Sequence, residues 1–182
     1  KAVLSAEKML VKIIVRAKEL IARGQNAGSC SPTLGFFLEN AAPFSLEDDL
    51  SAFCLLDDFD VMSAIKNWMF HPDPVLSRLS RSLIERRLLK VKQQAEPFGP
   101  SVIEELRNKI SHQLGISHEE AAYFAFGGET ANTTYDPSDE RINILFKDGS
   151  VKDISQVDNA LIHQTLSSPV KKFYICYYSS EI

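Results

Sequence analysis

The stretch DDFDVMSAIKNWMFHPDPVLSRLSRSLIERRLLKVK, residues 57–92, decides the fold of the first half of this chain. Asp57 or Asp58 can cap a helix carrying Val61, Ile65 and Trp68, because a carboxylate accepts the open N–H groups of a helix N-terminus and meets its positive dipole end. His71-Pro72-Asp73-Pro74 breaks that helix, since proline offers no N–H and restricts the residue before it. The pattern predicts a second helix over residues 75–92, with six bases (Arg78, Arg81, Arg86, Arg87, Lys90, Lys92) against one acid, Glu85. Just upstream the balance is reversed: from Glu39 to Asp60 there are seven acids and no base.

Working outward, residues 2–23 place Val3, Leu10, Ile14, Ala17 and Ile21 at helical spacing, with Ala6, Met9, Ile13 and Leu20 beside them. This predicts a helix with one buried face, stopped by Gly24. A loop over Gln25–Thr33 and a short helical turn over Leu34–Glu39 follow. Around Glu96–Pro100 the texture changes. A helix is expected from about Ser101 to Leu114, then strands at Ala121–Gly127, Ile142–Lys147 and Lys172–Tyr178. Asp148-Gly149 is a hairpin signal between Ile142–Phe146 and Val151–Ile154. A short helix is expected at Gln156–Leu166, and the apolar residues on both faces of the last strand predict that it is covered on both sides. The fold class is therefore α+β: an all-α helical region over residues 1–96 and a small α+β domain with an antiparallel sheet over 97–182. The first part holds thirteen bases and twelve acids and the second seven and twelve, so the second carries a net −5.

Composition narrows the classes further. The chain has 182 residues, 45% hydrophobic and 24% charged, which excludes disordered and low-complexity classes. Its three cysteines, Cys30, Cys54 and Cys176, form no CxxC, so a disulfide framework is not expected and the cytoplasm is the expected location. No apolar run approaches the roughly 20 residues that cross a bilayer, so no membrane partner is expected. The formal net charge of −4 argues against a nucleic-acid binder, whose affinity comes mostly from neutralising phosphates. The chain opens at Lys1, without methionine and already inside a helical pattern, and is expected to be a piece of something longer.

Candidate chemistry is sparse. Asp57, Asp58, Asp60, His71 and Asp73 offer hard-cation ligands, but their bland reading as helix caps and a solvated loop is the better one, and no metal site is assigned. The four histidines have no nucleophile at a recognisable spacing, there is no GxSxG, and Gly127-Gly128 is a lone pair. The aromatic strand near the C-terminus could be a base-stacking platform, but it lies in the acidic part of the chain and reads better as core. The basic helix is more informative. Projected as a helix, Leu76, Leu79 and Leu83 share a face into which Arg87 and Lys90 fall, with Arg86 at its edge. A cation in an apolar stripe needs an anion. Arg86 and Lys90, four apart, could hold one phosphate. The alternative is a cation simply meeting the helix C-terminal dipole.

Taken together, the runs Leu56-Asp57-Asp58-Phe59-Asp60-Val61, Trp68, His71-Pro72-Asp73-Pro74-Val75-Leu76 and Leu83-Ile84-Glu85-Arg86-Arg87-Leu88-Leu89-Lys90 resemble the region after the catalytic core of HD-domain phosphohydrolases. The branch they resemble is the deoxynucleoside triphosphate triphosphohydrolase-like group. Lys1-Ala2-Val3, leading into Glu7-Lys8-Met9-Leu10, is similar to the helix after that group's Tyr-x-His-Lys segment, and Phe173–Tyr178 is similar to its C-terminal strand.

The resemblance implies a metal-dependent nucleotide phosphohydrolase whose His…His-Asp…Asp set lies upstream. No histidine here is followed by aspartate, so this chain alone is expected to carry no catalytic residue, no metal and no activity. It also implies nucleotide- or phosphate-binding roles for Lys1, Arg86 and Lys90, a dNTP-like substrate or effector, a divalent metal in the parent protein, and a homo-oligomer. The alternative reading is a stand-alone, non-enzymatic binding module.

Overall fold

The computed structural model describes residues 1–40, 45–132, 142–154 and 170–180. Seven helices are seen among them: α1 (Ala2–Ala22), α2 (Pro32–Glu39), α3 (Leu46–Leu55), α4 (Asp58–Trp68), α5 (Pro74–Ile84), α6 (Pro100–Leu114) and α7 (His118–Ala121). The strands are β1 (Lys90–Gln94), β2 (Ala125–Asn132), β3 (Asn143–Leu145), β4 (Val151–Asp153) and β5 (Val170–Tyr177). One sheet has the order β1-β5-β2, and β3 pairs with β4 as a separate antiparallel ribbon. The fold is α+β, as the sequence predicts.

The chain forms two compact units, one made of residues 1–92, 99–126 and 175–182, the other of 93–98 and 127–174. In the first, α1 packs against α5, and α5 against α4. Met9, Ile13, Ala17 and Leu20 line the inward face of α1 and are fully or almost fully buried. They meet a core that includes Ile65 and Trp68 of α4 and Val75, Leu76 and Leu79 of α5. Burying each of the larger of these side chains is worth about 1.5–3 kcal/mol.

Local chemistry sets the helix boundaries. Asp57 caps α4 by accepting from the amides of Phe59 and Asp60 at 2.8 and 3.1 Å, and Asp60 returns the bond to the Asp57 amide at 3.1 Å. Ser31 caps α2, and Pro32 and Pro74 occupy the first turns of α2 and α5, where a missing N–H costs nothing. The end of α1 is as expected: Gly24 has φ +72°, the Gly24 amide donates to Ile21 and the Gln25 amide to Leu20. That pair of bonds is a Schellman motif, which needs a left-handed residue where Gly24 stands.

Two boundaries differ most from expectation. The helix expected over residues 75–92 stops at Ile84, and Lys90 already belongs to β1. The strand expected from Ala121 starts at Ala125 instead. There Ser117 and Glu120 form a reciprocal capping box, Ser117 Oγ accepting from the Glu120 amide at 3.1 Å and Glu120 accepting from the Ser117 amide at 2.9 Å. That box starts α7 and delays the strand.

The second unit holds the hairpin signalled by Asp148-Gly149. Its register pairs Asn143 with Asp153, Ile144 with Lys152 and Leu145 with Val151. Asp148 accepts from both the amide and the hydroxyl of Ser150, and the Gly149 amide closes the turn onto Phe146. Gly128 lies so close to Tyr174 that a Cβ there would stand 2.6 Å from the phenol oxygen. In β5 the consecutive residues Tyr174, Ile175 and Cys176 are all buried, so the strand is covered on both faces there. The helix expected at Gln156–Leu166 lies outside the described residues.

Candidate functional site

Among its described residues the first unit carries one buried ionic cluster. Arg16, on the inward face of α1 and only 5% exposed, forms a two-pronged pair with Asp73: Nε to Oδ1 at 3.1 Å and Nη2 to Oδ2 at 2.6 Å. Glu19 and Glu120 lie 3.4 and 3.5 Å from the same guanidinium, and the Tyr123 ring centroid is 5.5 Å from it. Asp73 has a second task as the cap of α5, accepting from the Leu76 amide at 2.8 Å.

Burial pushes the Asp73 carboxyl up, but the bonds from Arg16 and Leu76, with the nearby charge of Arg16, hold it below the usual carboxylate range. The hydrogen bond to Asp73 raises Arg16. Burial, then the adjacent Glu19 carboxylate, holds the Tyr123 hydroxyl above the usual phenol range. The arrangement ties α1 to the start of α5. It is a structural clasp.

His71 is committed to the same clasp. Its Nδ1 accepts from the Asp73 amide at 3.0 Å, so the proton sits on Nε2, which is 2.9 Å from the Asn26 carbonyl. The residues weighed as hard-cation ligands are thus spread over separate tasks. Asp57 and Asp60 cap α4, Asp73 caps α5 and pairs with Arg16, and both ring nitrogens of His71 are engaged.

The predicted phosphate residues stand at the far end of α5. Arg86 is exposed, and its φ of +60° makes it the one non-glycine residue with a positive φ among the described residues. The Arg86 amide donates to Leu83 at 3.2 Å and the Arg87 amide to Ser82 at 2.8 Å, which is again a Schellman ending. This corrects the sequence-based geometry: Arg86 and Lys90 are not one turn apart on a helix, and no cation continues the apolar stripe of α5.

The fold brings this segment to the start of α1 by another route. Ser5 Oγ donates to the Leu89 carbonyl at 2.7 Å, and the Leu89 amide lies 3.4 Å from Met9 Sδ. Leu89, the neighbour of Lys90, is thereby pinned against the first turns of the helix that Lys1 begins. Lys1 is exposed and Lys90 half-buried.

Of the six bases in residues 75–92, Arg78 and Arg81 carry no role in the sequence pattern, and Arg87 carries only a place in the apolar stripe. In the structure all three arginines line a cavity of about 370 Å³, together with Tyr178 and Ser179 from the far end of the chain. The charge imbalance of residues 75–92 was the available signal. The convergence with residues a hundred positions away was not readable from it.

Comparison with known proteins supplies the context. The chain is similar to a solved structure from Bacteroides thetaiotaomicron VPI-5482, at 41% sequence identity and a TM-score of 0.83. That structure is a phosphohydrolase. The similarity covers 98% of this chain and 45% of that one, so the chain spans less than half the length of the protein it matches. No family model matches the chain, and no curated protein does. No helix among the described residues is long and apolar enough to cross a membrane.

Proposed function

We propose that this chain is the C-terminal part of an HD-domain, metal-dependent phosphohydrolase of the deoxynucleoside triphosphate triphosphohydrolase-like branch, and that it contributes oligomerisation and nucleotide-phosphate-binding surfaces. The kind of activity is supported by the 41% identity to a phosphohydrolase, and the placement within a longer enzyme by the 45% of that protein covered. The branch is supported by the ordered motifs from Leu56 to Lys90. A divalent metal bound in the remainder of the enzyme would polarise the phosphoester; this chain's residues hold no assigned ligand for it.

The observation that carries the phosphate site is the backbone of Arg86. A left-handed conformation costs an L-residue about 1–2 kcal/mol, and such strain gathers where function needs a side chain placed. Glycine or asparagine would fit this position at less cost, yet an arginine stands there with its side chain in solvent. Its guanidinium would grip phosphate oxygens through its fork, with the Lys90 and Lys1 ammonium groups as further point charges. Oligomerisation is supported by large apolar side chains left in solvent, among them Phe59 at 82% and Phe70 at 80% exposed.

The test uses the full-length enzyme with a divalent metal and each dNTP. Turnover is expected from the full-length protein and none from residues 1–182. In the double variant Arg86→Ala/Lys90→Ala, nucleotide-dependent assembly or activation is expected to weaken, each lost charge-assisted contact being worth about 1.5–3 kcal/mol. Unchanged nucleotide binding and oligomer size in that variant would remove the phosphate site. Hydrolysis by the 182-residue chain alone would place catalysis within it, against the proposal.

A further inference from the structure

We infer that the cavity walled by Arg78, Arg81 and Arg87 is a second anion site, one that excludes Arg86 and Lys90 and takes the phosphate head of a small phosphorylated molecule. Positions 78, 81, 82 and 85 follow helical spacing, so Arg78, Arg81 and Ser82 share one face of α5 and Glu85, its C-cap residue, continues that face. All four line the cavity, and Arg87 joins them from the turn beyond the helix. Three guanidiniums thus face a single carboxylate, Glu85. That acid lies 3.5 Å from Arg87 in a largely exposed contact, which binds it weakly.

Arg78 and Arg81 are held in place without being neutralised. Arg78 Nη1 donates to the Leu114 carbonyl at 2.9 Å, and Arg81 Nη2 donates to the Met69 carbonyl at 3.2 Å. Each bond uses one of five guanidinium donors. Neither arginine pairs with an acid among the described residues, and two like charges three apart on one helix face repel. A dianion between them would relieve that repulsion and use the remaining donors.

The opposite wall is polar and fixed. The Tyr178 amide donates to the Phe124 carbonyl at 2.8 Å, and the Tyr178 ring meets the Phe124 ring edge-on at 6.3 Å. Ser179 follows, and the hydroxyls of Ser82, Tyr178 and Ser179 can donate to phosphate oxygens as backbone amides and guanidiniums do. At about 370 Å³ the cavity has the size of a small-molecule site rather than of a macromolecular groove. The anchoring carbonyls offer the bland account, in which the arginines only finish the ends of two other helices.

Calorimetric titration of the full chain decides between them, with inorganic pyrophosphate as the probe at low salt. Orthophosphate and ADP are the arms that separate a bare phosphate head from a nucleotide-borne one, and malonate is the dicarboxylate control. Saturable pyrophosphate binding is expected, weakened roughly tenfold or more in Arg78→Gln/Arg81→Gln and largely retained in Arg86→Ala/Lys90→Ala. Glutamine keeps an amide donor for each carbonyl, and a circular-dichroism melt verifies that the variant is folded. Tyr178→Phe is a milder variant, expected to weaken binding without touching either anchor. Tighter binding of ADP than of pyrophosphate assigns the ligand as a nucleotide, and the reverse as a bare oligophosphate.

No saturable binding to the wild-type chain overturns the inference, and so does malonate binding as tight as pyrophosphate. Binding lost in Arg86→Ala/Lys90→Ala but kept in Arg78→Gln/Arg81→Gln also overturns it, while leaving the proposed role of Arg86 and Lys90 intact. Loss confined to Arg78→Gln/Arg81→Gln supports the cavity whatever the fate of the other site.

Discussion

Arg86→Gly is expected to stabilise the protein, although it removes a charge and adds a glycine. At φ +60° an L-residue costs about 1–2 kcal/mol relative to the right-handed region, and glycine pays almost none of it. Glycine's greater freedom in the unfolded chain takes back about 0.4–1 kcal/mol. Losing a cation at the C-terminal end of α5 takes back roughly 0.3 kcal/mol more at an exposed site. The net is a gain of about 0.5 kcal/mol. Arg86→Ala keeps the strain and loses the charge, so the two variants should differ by about 1 kcal/mol, or roughly 2–4 °C in Tm for a chain of this length. Urea unfolding measures the difference directly, provided that the slope m is the same in both variants. An alanine variant as stable as the glycine variant would show that no strain is stored at residue 86. It would also remove the main support for a working role of that arginine. If the role is real, the glycine variant is the more stable protein and the poorer phosphate binder, which is the usual exchange at a functional position.

Three other measurements address the clasp, the tight packing against β2 and the thiols. Asp73→Asn keeps a cap for α5 but removes the two-pronged partner of the buried Arg16, leaving it the longer contacts to Glu19 and Glu120, so a loss of about 1.5–3 kcal/mol is expected in urea unfolding. Because the folded-state carboxyl of Asp73 lies below its usual range, its contribution is present at neutral pH and is lost as pH falls through the folded value. The unfolding midpoint of the wild type should therefore fall steeply below about pH 4, and that of Asp73→Asn less so. Gly128→Ala should destabilise, since its Cβ would stand 2.6 Å from the Tyr174 oxygen, and Tyr174→Phe in the same chain should restore part of the loss. An unimproved double variant would refute that packing. With a thiol reagent near pH 8, exposed Cys54 should react first, while Cys176, whose thiol burial pushes up to about 11, should react only on unfolding.

Much of the fold was legible because short signals happened to be decisive. Asp57 ahead of an apolar helical pattern, Gly24 after one, the His-Pro-Asp-Pro break and the Asp148-Gly149 turn each act within a few residues, and each appears where it was read. The end of α5 was not legible. Residues 85–92 contain no glycine, proline or asparagine, so nothing local announces a stop, and the helix ends on an arginine forced left-handed. Nor does Lys-Val-Lys-Gln-Gln look like a strand; β1 exists because β5 pairs with it. The Ser117-to-Glu120 box was readable as a helix start but was passed over for the apolar residues that follow. The candidate site divides in the same way. Arg86 and Lys90 stood out as charges in a patterned segment, whereas the cavity at Arg78 and Arg81 needs Tyr178 and Ser179, which only tertiary folding brings near.

The strand order has a bearing on how the molecule is made. In the sheet β1-β5-β2 the middle member is the last of the three to leave the ribosome. Until residues 170–177 are synthesised, β1 and β2 have no shared partner, and each presents a row of unsatisfied N–H and C=O groups. A chain terminated between residues 133 and 169 would therefore leave β1 and β2 open on the inner edges that β5 otherwise pairs, in addition to the outer edges they present in the complete sheet, a template for self-association. Frameshifts and nonsense codons in that interval should yield insoluble protein rather than a shortened but working one.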